Sequence, residues 1–270
     1  MKELKEEMKI TKIFPGLSSR RLICLLSIFL AFSVSFPPLV EAADSGSKFT
    51  VTADLVSSYV WRGSLSTQNP VPNIQPTISF STGKLEAGVW GSTDFAGSYK
   101  EVDPYLIITK GLLKIVLTDY NWNFTRSNYF NYGRDQTGHR VEGTIGYTGS
   151  KSFPINITWS TIVYGYDKRA DDSTRQAWST YAELGYSKGA AAFFLGFTPW
   201  ASYYNNYGTT VFDAEATRKS FSVVNIGASI SKGLKITESY SLPVKVALIV
   251  NPSATYSRND YIHLTVGITI

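Results

Sequence analysis

Nine ionisable residues recur at alternate positions within apolar segments: Asp54, Glu86, Asp103, Lys114, Arg140, Glu142, Glu183, Lys245 and His263. A tenth, Arg62, stands where one such segment gives way to a polar stretch. Residues of both signs on one face have two uses. They border a water-filled path and bias which solutes pass, or they pair across a packed interior and stabilise a closed structure. The spacing leaves both open. Hydrolysis is a third possibility, and it needs a nucleophile or activated water beside a histidine and an acid. His263 shares the face of the charged residues, but no motif of a barrel phospholipase or protease surrounds it. His139 lies in Thr137-Gly138-His139-Arg140, a loop start. Catalysis is therefore not expected. Two histidines are too few for a typical zinc site. Gly-rich phosphate loops and calcium-loop spacings are also missing, so no cofactor is expected.

Strands must position these groups. In Tyr261 to Ile270, the residues Ile262, Leu264, Val266, Ile268 and Ile270 share one face, with Tyr261, His263, Thr265, Gly267 and Thr269 on the other. Successive side chains of a strand point to opposite faces, so period two predicts a sheet with one apolar and one polar face. The pattern recurs at Leu85/Ala87/Val89 against Glu86/Gly88/Trp90, and at Val102/Pro104/Leu106/Ile108 against Asp103/Tyr105/Ile107/Thr109. A looser case is Val244/Val246/Leu248/Val250 against Lys245/Ala247/Ile249. No sustained helical series of apolar residues stands between capping signals.

Tight-turn signals follow several of these runs: Ser81-Thr82-Gly83, Thr109-Lys110-Gly111, Thr148-Gly149-Ser150, Ser187-Lys188-Gly189 and Ser231-Lys232-Gly233. Glycine supplies the positive φ that tight hairpins need. Longer polar connections lie between them, at Arg62–Val71, Thr93–Lys100, Thr125–Thr137, Tyr166–Thr174, Ala201–Arg218 and Pro252–Ser257. One departure is Ser231 to Ser241, long for a tight turn. Alternating short and long connections predict an antiparallel transmembrane β-barrel, with short periplasmic turns and longer extracellular loops. The strands fall near 49–61, 72–81, 84–93, 101–109, 112–124, 138–148, 154–165, 175–187, 190–200, 219–230, 242–251 and 258–270. That makes twelve, or ten if two pairs are bent continuations. Alternation kept up to Ile270 suits a last strand that pairs with the first. Aromatic clusters at strand ends would form interfacial girdles: Tyr59 and Trp61; Tyr120, Trp122 and Phe124; Phe197 and Trp200; Tyr203 and Tyr204. The stretch Tyr203 to Tyr207 suits such a belt, or contact with sugars at a cell surface.

The first 42 residues read as a cleaved signal peptide, and 43–270 as the barrel. Lys9, Lys12, Arg20 and Arg21 precede an apolar run from Leu22 to Phe36, and Val40-Glu41-Ala42 supplies a cleavage pattern. Six of the 26 basic and four of the 21 acidic residues lie in this segment, leaving 20 and 17. So balanced a remainder gives no argument for a nucleic-acid partner. The single cysteine, Cys24, belongs to the apolar run, which removes disulfides and thiolate metal sites from the expected barrel.

Two motifs add a resemblance. Ser57-Ser58-Tyr59-Val60-Trp61-Arg62-Gly63 and Gly88-Val89-Trp90-Gly91-Ser92 resemble the opening of the TorF-type porins, a bacterial family also called Gcw_chp. Glu101-Val102-Asp103-Pro104-Tyr105 and Trp178 to Tyr186 are similar to two of its later strands, although Pro104 departs from the usual pattern. The resemblance implies an outer-membrane, porin-like barrel, with no catalytic residues and no established substrate. The expectation is a passive channel in the bacterial outer membrane, contacting its lipid and passing small hydrophilic solutes. The alternative is a non-conducting structural or surface-binding barrel, or, less favoured, an outer-membrane hydrolase.

Overall fold

The computed structural model describes residues 46–67, 69–122, 129–133, 136–169, 174–200, 202, 204, 221–254 and 261–270. The expected signal peptide, Phe124, Tyr203, the stretch 205–207, part of the connection 125–137 and most of the connection 201–218 lie outside these residues. Residues 46–270 form one compact unit.

Twelve strands close into an antiparallel barrel. In chain order they are β1 (Lys48–Val56), β4 (Asn73–Thr82), β5 (Leu85–Asp94), β6 (Lys100–Lys110), β7 (Leu113–Tyr120), β8 (Arg140–Tyr147), β9 (Ile155–Gly165), β10 (Thr180–Lys188), β11 (Ala191–Thr198), β12 (Ser222–Lys235), β13 (Ser241–Val250) and β14 (Ile262–Thr269). Between β1 and β4 lies a separate small hairpin, β2 (Val60–Trp61) and β3 (Ser64–Leu65). Each wall strand pairs with its neighbour in sequence, and β1 also pairs with β14, with Asp54 opposite Thr269 and Val56 opposite Gly267. At the seam, the Ala53 and Ile270 backbones exchange two hydrogen bonds of 2.9 Å. The last residue of the chain thus completes the ring, and no sheet edge remains along the seam.

The alternation sorts side chains as expected. Phe49, Val51, Ile115, Ile145, Phe193 and Leu264 all point outward and are 53% exposed or more. The interior is polar: Asn73, Ser92, Asp103, Glu142, Ser160 and Thr180 are all buried. Among the described residues, the cluster of buried apolar side chains is small, comprising Ile162, Tyr181, Tyr204 and Val224, with Trp61 against it. The tight turns take the left-handed glycine they need, as at Gly111 (φ 62°), where a side chain would meet open space but strained backbone.

Three expectations need correction. The first strand does not run to Trp61. It ends at Val56, and the chain leaves the wall to build β2 and β3. Ser231-Lys232-Gly233 is not a turn, because β12 continues to Lys235 and the reversal falls at 236–240, closed by Ile236 N–H and Thr237 N–H donating to Tyr240 O at 3.0 Å each. That removes the apparent long connection. Finally, Tyr59, Trp61, Tyr120 and Tyr204 do not form an outer girdle. Inside the barrel, Trp61 packs on Tyr120 and Tyr204, and Tyr59 on Trp90 and Tyr99, because the Tyr120 and Tyr204 hydroxyls find the buried Glu142 carboxylate there.

Candidate functional site

The hairpin β2–β3 occupies the interior near the rim of the long connections. Its two turn residues both take positive φ, Arg62 at 50° and Gly63 at 85°, the conformation of a two-residue hairpin turn matching strand twist. Arginine at such a position is strained, and the surrounding contacts hold it there. Gly63 lies directly on the wall: a Cβ would fall 1.9 Å from the Val224 carbonyl oxygen. Asn251 Nδ2 donates to Ser64 Oγ at 3.1 Å, fixing the opposite side of the hairpin to the end of β13.

Arg62 carries the strongest contact. Its guanidinium donates to both carboxylate oxygens of Glu142 at 2.6 and 2.8 Å. This two-pronged geometry is specific to arginine and carboxylate. The cation also lies 4.5 Å from the Tyr181 ring centroid, 4.6 Å from that of Trp61 and 5.0 Å from that of Tyr204. Glu142 is satisfied further by Tyr204 Oη at 2.8 Å, Tyr120 Oη at 3.1 Å and Thr144 Oγ1 at 3.3 Å. Its carboxylate is 1% exposed and the Arg62 side chain 12%. So buried a pair persists only because nearly every donor and acceptor is used.

Local irregularities in the wall make room for this contact. The β8–β9 register shifts between Val141 and Glu142, and the β11–β12 register shifts between Gly196 and Phe197, opposite Val224. An extra residue in one strand bends it and re-aims its side chains. Val224 and Asn225 are consequently both buried, against the strict alternation of a regular strand. The two bulges lie at two of the places where the hairpin meets the wall, Glu142 and the Val224 carbonyl.

The other expected residues distribute around the ring. Asp103 is 2% exposed and accepts the Asn121 backbone N–H at 3.1 Å. Arg140 lays its guanidinium on Trp122 at 4.2 Å and Tyr166 at 4.8 Å. Glu183 accepts from Tyr181 Oη and from Asn225 Nδ2 at 3.2 Å. Glu86 accepts from Tyr105 Oη at 2.9 Å, and Asp54 from Thr269 Oγ1 at 2.5 Å. Lys114 and Lys245 keep the interior parity but sit toward the tight-turn rim, where they are exposed. His263 is buried on the interior face of β14. Among the described residues, Arg62 and Glu142 are the two of these that meet in an ion pair. Sequence reasoning missed Tyr181, Tyr204 and Trp61 as interior residues. Parity with Glu183 was the signal available for Tyr181.

His139 is fully buried behind β7. Its Nδ1 lies 2.9 Å from Asp119 Oδ1, its Nε2 meets the Tyr129 carbonyl, and its ring stacks on Tyr132 at 4.1 Å. Nδ1 faces the Asp119 carboxylate, while Nε2 faces both the Tyr129 carbonyl and the Asn121 side-chain amide, whose Nδ2 lies 2.9 Å away. Burial opposes a charge on the ring, but the hydrogen bonds to Asp119 and to the Tyr129 carbonyl outweigh it and raise the pKa above the ordinary value. With both nitrogens occupied, His139 offers none to a nucleophile. Among the described residues no group of three His, Cys, Asp or Glu is placed to hold a metal ion.

Below the hairpin, toward the tight-turn rim, a cavity of about 350 Å³ remains between Tyr59 and Trp61 on one side and β5, β6 and β7 on the other. The hairpin therefore fills the interior at one end and leaves space at the other. The fold and this site define a closed twelve-stranded antiparallel barrel with a hairpin latched inside. Comparison with known proteins adds no relative: no family model matches the chain, and no curated protein matches it.

Proposed function

We propose that the protein is a porin-like barrel of the bacterial outer membrane, in which small hydrophilic solutes cross a lumen that the β2–β3 hairpin constricts. The observation that carries this reading is the inversion of the wall. Large apolar side chains circle the outside of a closed barrel, while the buried side is polar and charged. In water such a surface far exceeds the apolar patches that monomers tolerate. In hydrocarbon it is the required arrangement, since a closed ring pairs its own backbone groups. The resemblance of Ser57–Gly63 and Gly88–Ser92 to the TorF-type porins points the same way.

A second reading is favoured by the latch itself. Arg62 and Glu142, buried and bonded across the interior, describe a shut conformation. A barrel that never opened would be a structural or surface-binding protein. Planar-bilayer recording separates the two. A constricted channel gives small or infrequent conductance steps, which grow when Arg62→Ala frees the hairpin. Silence from both the natural chain and the Arg62→Ala variant, each shown to be folded, would establish the non-conducting barrel instead.

A further inference from the structure

We propose that the cavity beneath the hairpin is a binding site for a small organic cation, with the charge held by Asp103 and the body held by aromatic faces. The proposal rests on the reading of the interior as a solute path. The cavity, about 350 Å³, is at the lower end of the volumes that take small molecules. Its walls carry the rings of Tyr59, Trp61, Trp90, Tyr105 and Tyr120, with the Asp103 carboxylate among them. Aromatic faces attract cations, and most strongly where water is excluded.

The hydrogen-bond pattern narrows the ligand class. Tyr105 and Tyr120 already spend their hydroxyls on Glu86 and Glu142. With those hydroxyls committed, these two residues line the cavity with ring carbon rather than free donors, which suits a cation better than a sugar. The nearby cations are also committed. Arg62 is bound to Glu142, and Arg140 lies on Trp122 and Tyr166 with its charge acting on Glu101. Asp103 has no ion pair among the described residues. Its partners are the Asn121 N–H and Glu101, itself a buried acid that accepts from Tyr99 Oη at 2.6 Å. Glu101 and Asp103 are hydrogen-bonded to each other, so the pair holds a shared proton, and the charge of Arg140 acts on Glu101. A bound ammonium beside Asp103 takes the place of that proton, which leaves to water, as the counter-charge at the cavity wall, whereas an anion is repelled.

The test uses the full processed barrel folded in detergent and titration calorimetry with three probes of similar size: benzylammonium, benzyl alcohol and phenylacetate. Benzylammonium is expected to bind at least about tenfold more tightly than benzyl alcohol, and phenylacetate not at all. Asp103→Asn should remove that tenfold preference and leave the benzyl alcohol affinity unchanged. Trp90→Leu, with Asp103 intact, should weaken benzylammonium and serves if Asp103→Asn does not fold. Equal binding of cation and alcohol, unchanged benzylammonium affinity in the folded variants, or no binding by the natural chain would overturn the site. The measurement does not depend on conduction, so a silent bilayer refutes the channel and leaves this result standing.

Discussion

Replacing Arg62 with alanine should release the hairpin without dissolving the barrel. The wall is held by twelve strand pairings, and none of the register contacts between wall strands includes Arg62. The hairpin is held mainly by what Arg62 touches: two charge-assisted hydrogen bonds to Glu142 and three aromatic rings within 5.0 Å. Removing one partner of a buried ion pair costs about 3–5 kcal/mol, because the other charge stays buried and unmatched. Each 1.4 kcal/mol is a factor of ten, so the ratio of docked to undocked hairpin should fall by roughly two to three and a half decades. Glu142→Gln should cost less. The guanidinium keeps its rings, worth about 0.5–2 kcal/mol each, and an amide oxygen still accepts one N–H. The order of effect is therefore Arg62→Ala above Glu142→Gln. The double variant Arg62→Met with Glu142→Gln should fall between the natural chain and Arg62→Ala, since no lone charge is left. Open probability in planar bilayers reads the effect, and limited proteolysis between residues 57 and 72 reads it independently of conduction. Unchanged cleavage and unchanged conductance in a folded Arg62→Ala variant would refute the assignment of the latch.

Three further outcomes are expected. Gly63→Val introduces a side chain at φ 85° and 1.9 Å from the Val224 carbonyl, so it should undock the hairpin as Arg62→Ala does, visible as faster cleavage of residues 57–72. Ile145→Lys, on the outer face of β8 at 61% exposure, should destabilise a lipid-embedded barrel by about 2–4 kcal/mol in refolding titrations into vesicles. A cost near zero there would argue against hydrocarbon around the wall. His139 has a raised pKa in the folded state, so the stability from its protonated form is fully present below about pH 6.5 and is lost as pH rises through the folded value. Thermal midpoints against pH should show that decline in the natural chain, and His139→Gln should flatten it.

The wall was legible because period two is a strong signal wherever one face must be apolar. Ile262, Leu264, Val266 and Ile268 could only be the outer face of one strand, and the register of β14 against β13 follows from that choice. The even strand count and the seam at Ile270 followed as well, since closure demands a partner for each edge. The turn at 236–240 was missed for a local reason. Ser231-Lys232-Gly233 carries turn residues, but Lys232 and Gly233 pair with Val244 and Pro243 across β13, and that pairing overrides propensity.

The interior was legible only as a list of facing residues, and the reason is geometric. Parity states which side a residue is on, but not how far along the axis it lies or what faces it across the lumen. Arg62 and Glu142 are eighty positions apart, and nothing local links them. Their meeting depends on a hairpin folding inward and on bulges beside Val141 and Gly196, where the alternation itself breaks. The same cause misplaced the aromatic residues. Tyr59, Trp61 and Tyr120 stand at strand ends, where an interfacial belt and an interior lining have identical sequence patterns. What decides between them is where the hydroxyls find acceptors, and here the acceptors are buried carboxylates such as Glu142. A phenol whose hydroxyl binds a buried acid gains more there than at a wet interface, so the polar interior recruits its own aromatic lining. The latch and the cavity below it are thus two consequences of one arrangement: carboxylates placed inside a closed wall, each demanding a donor or a cation.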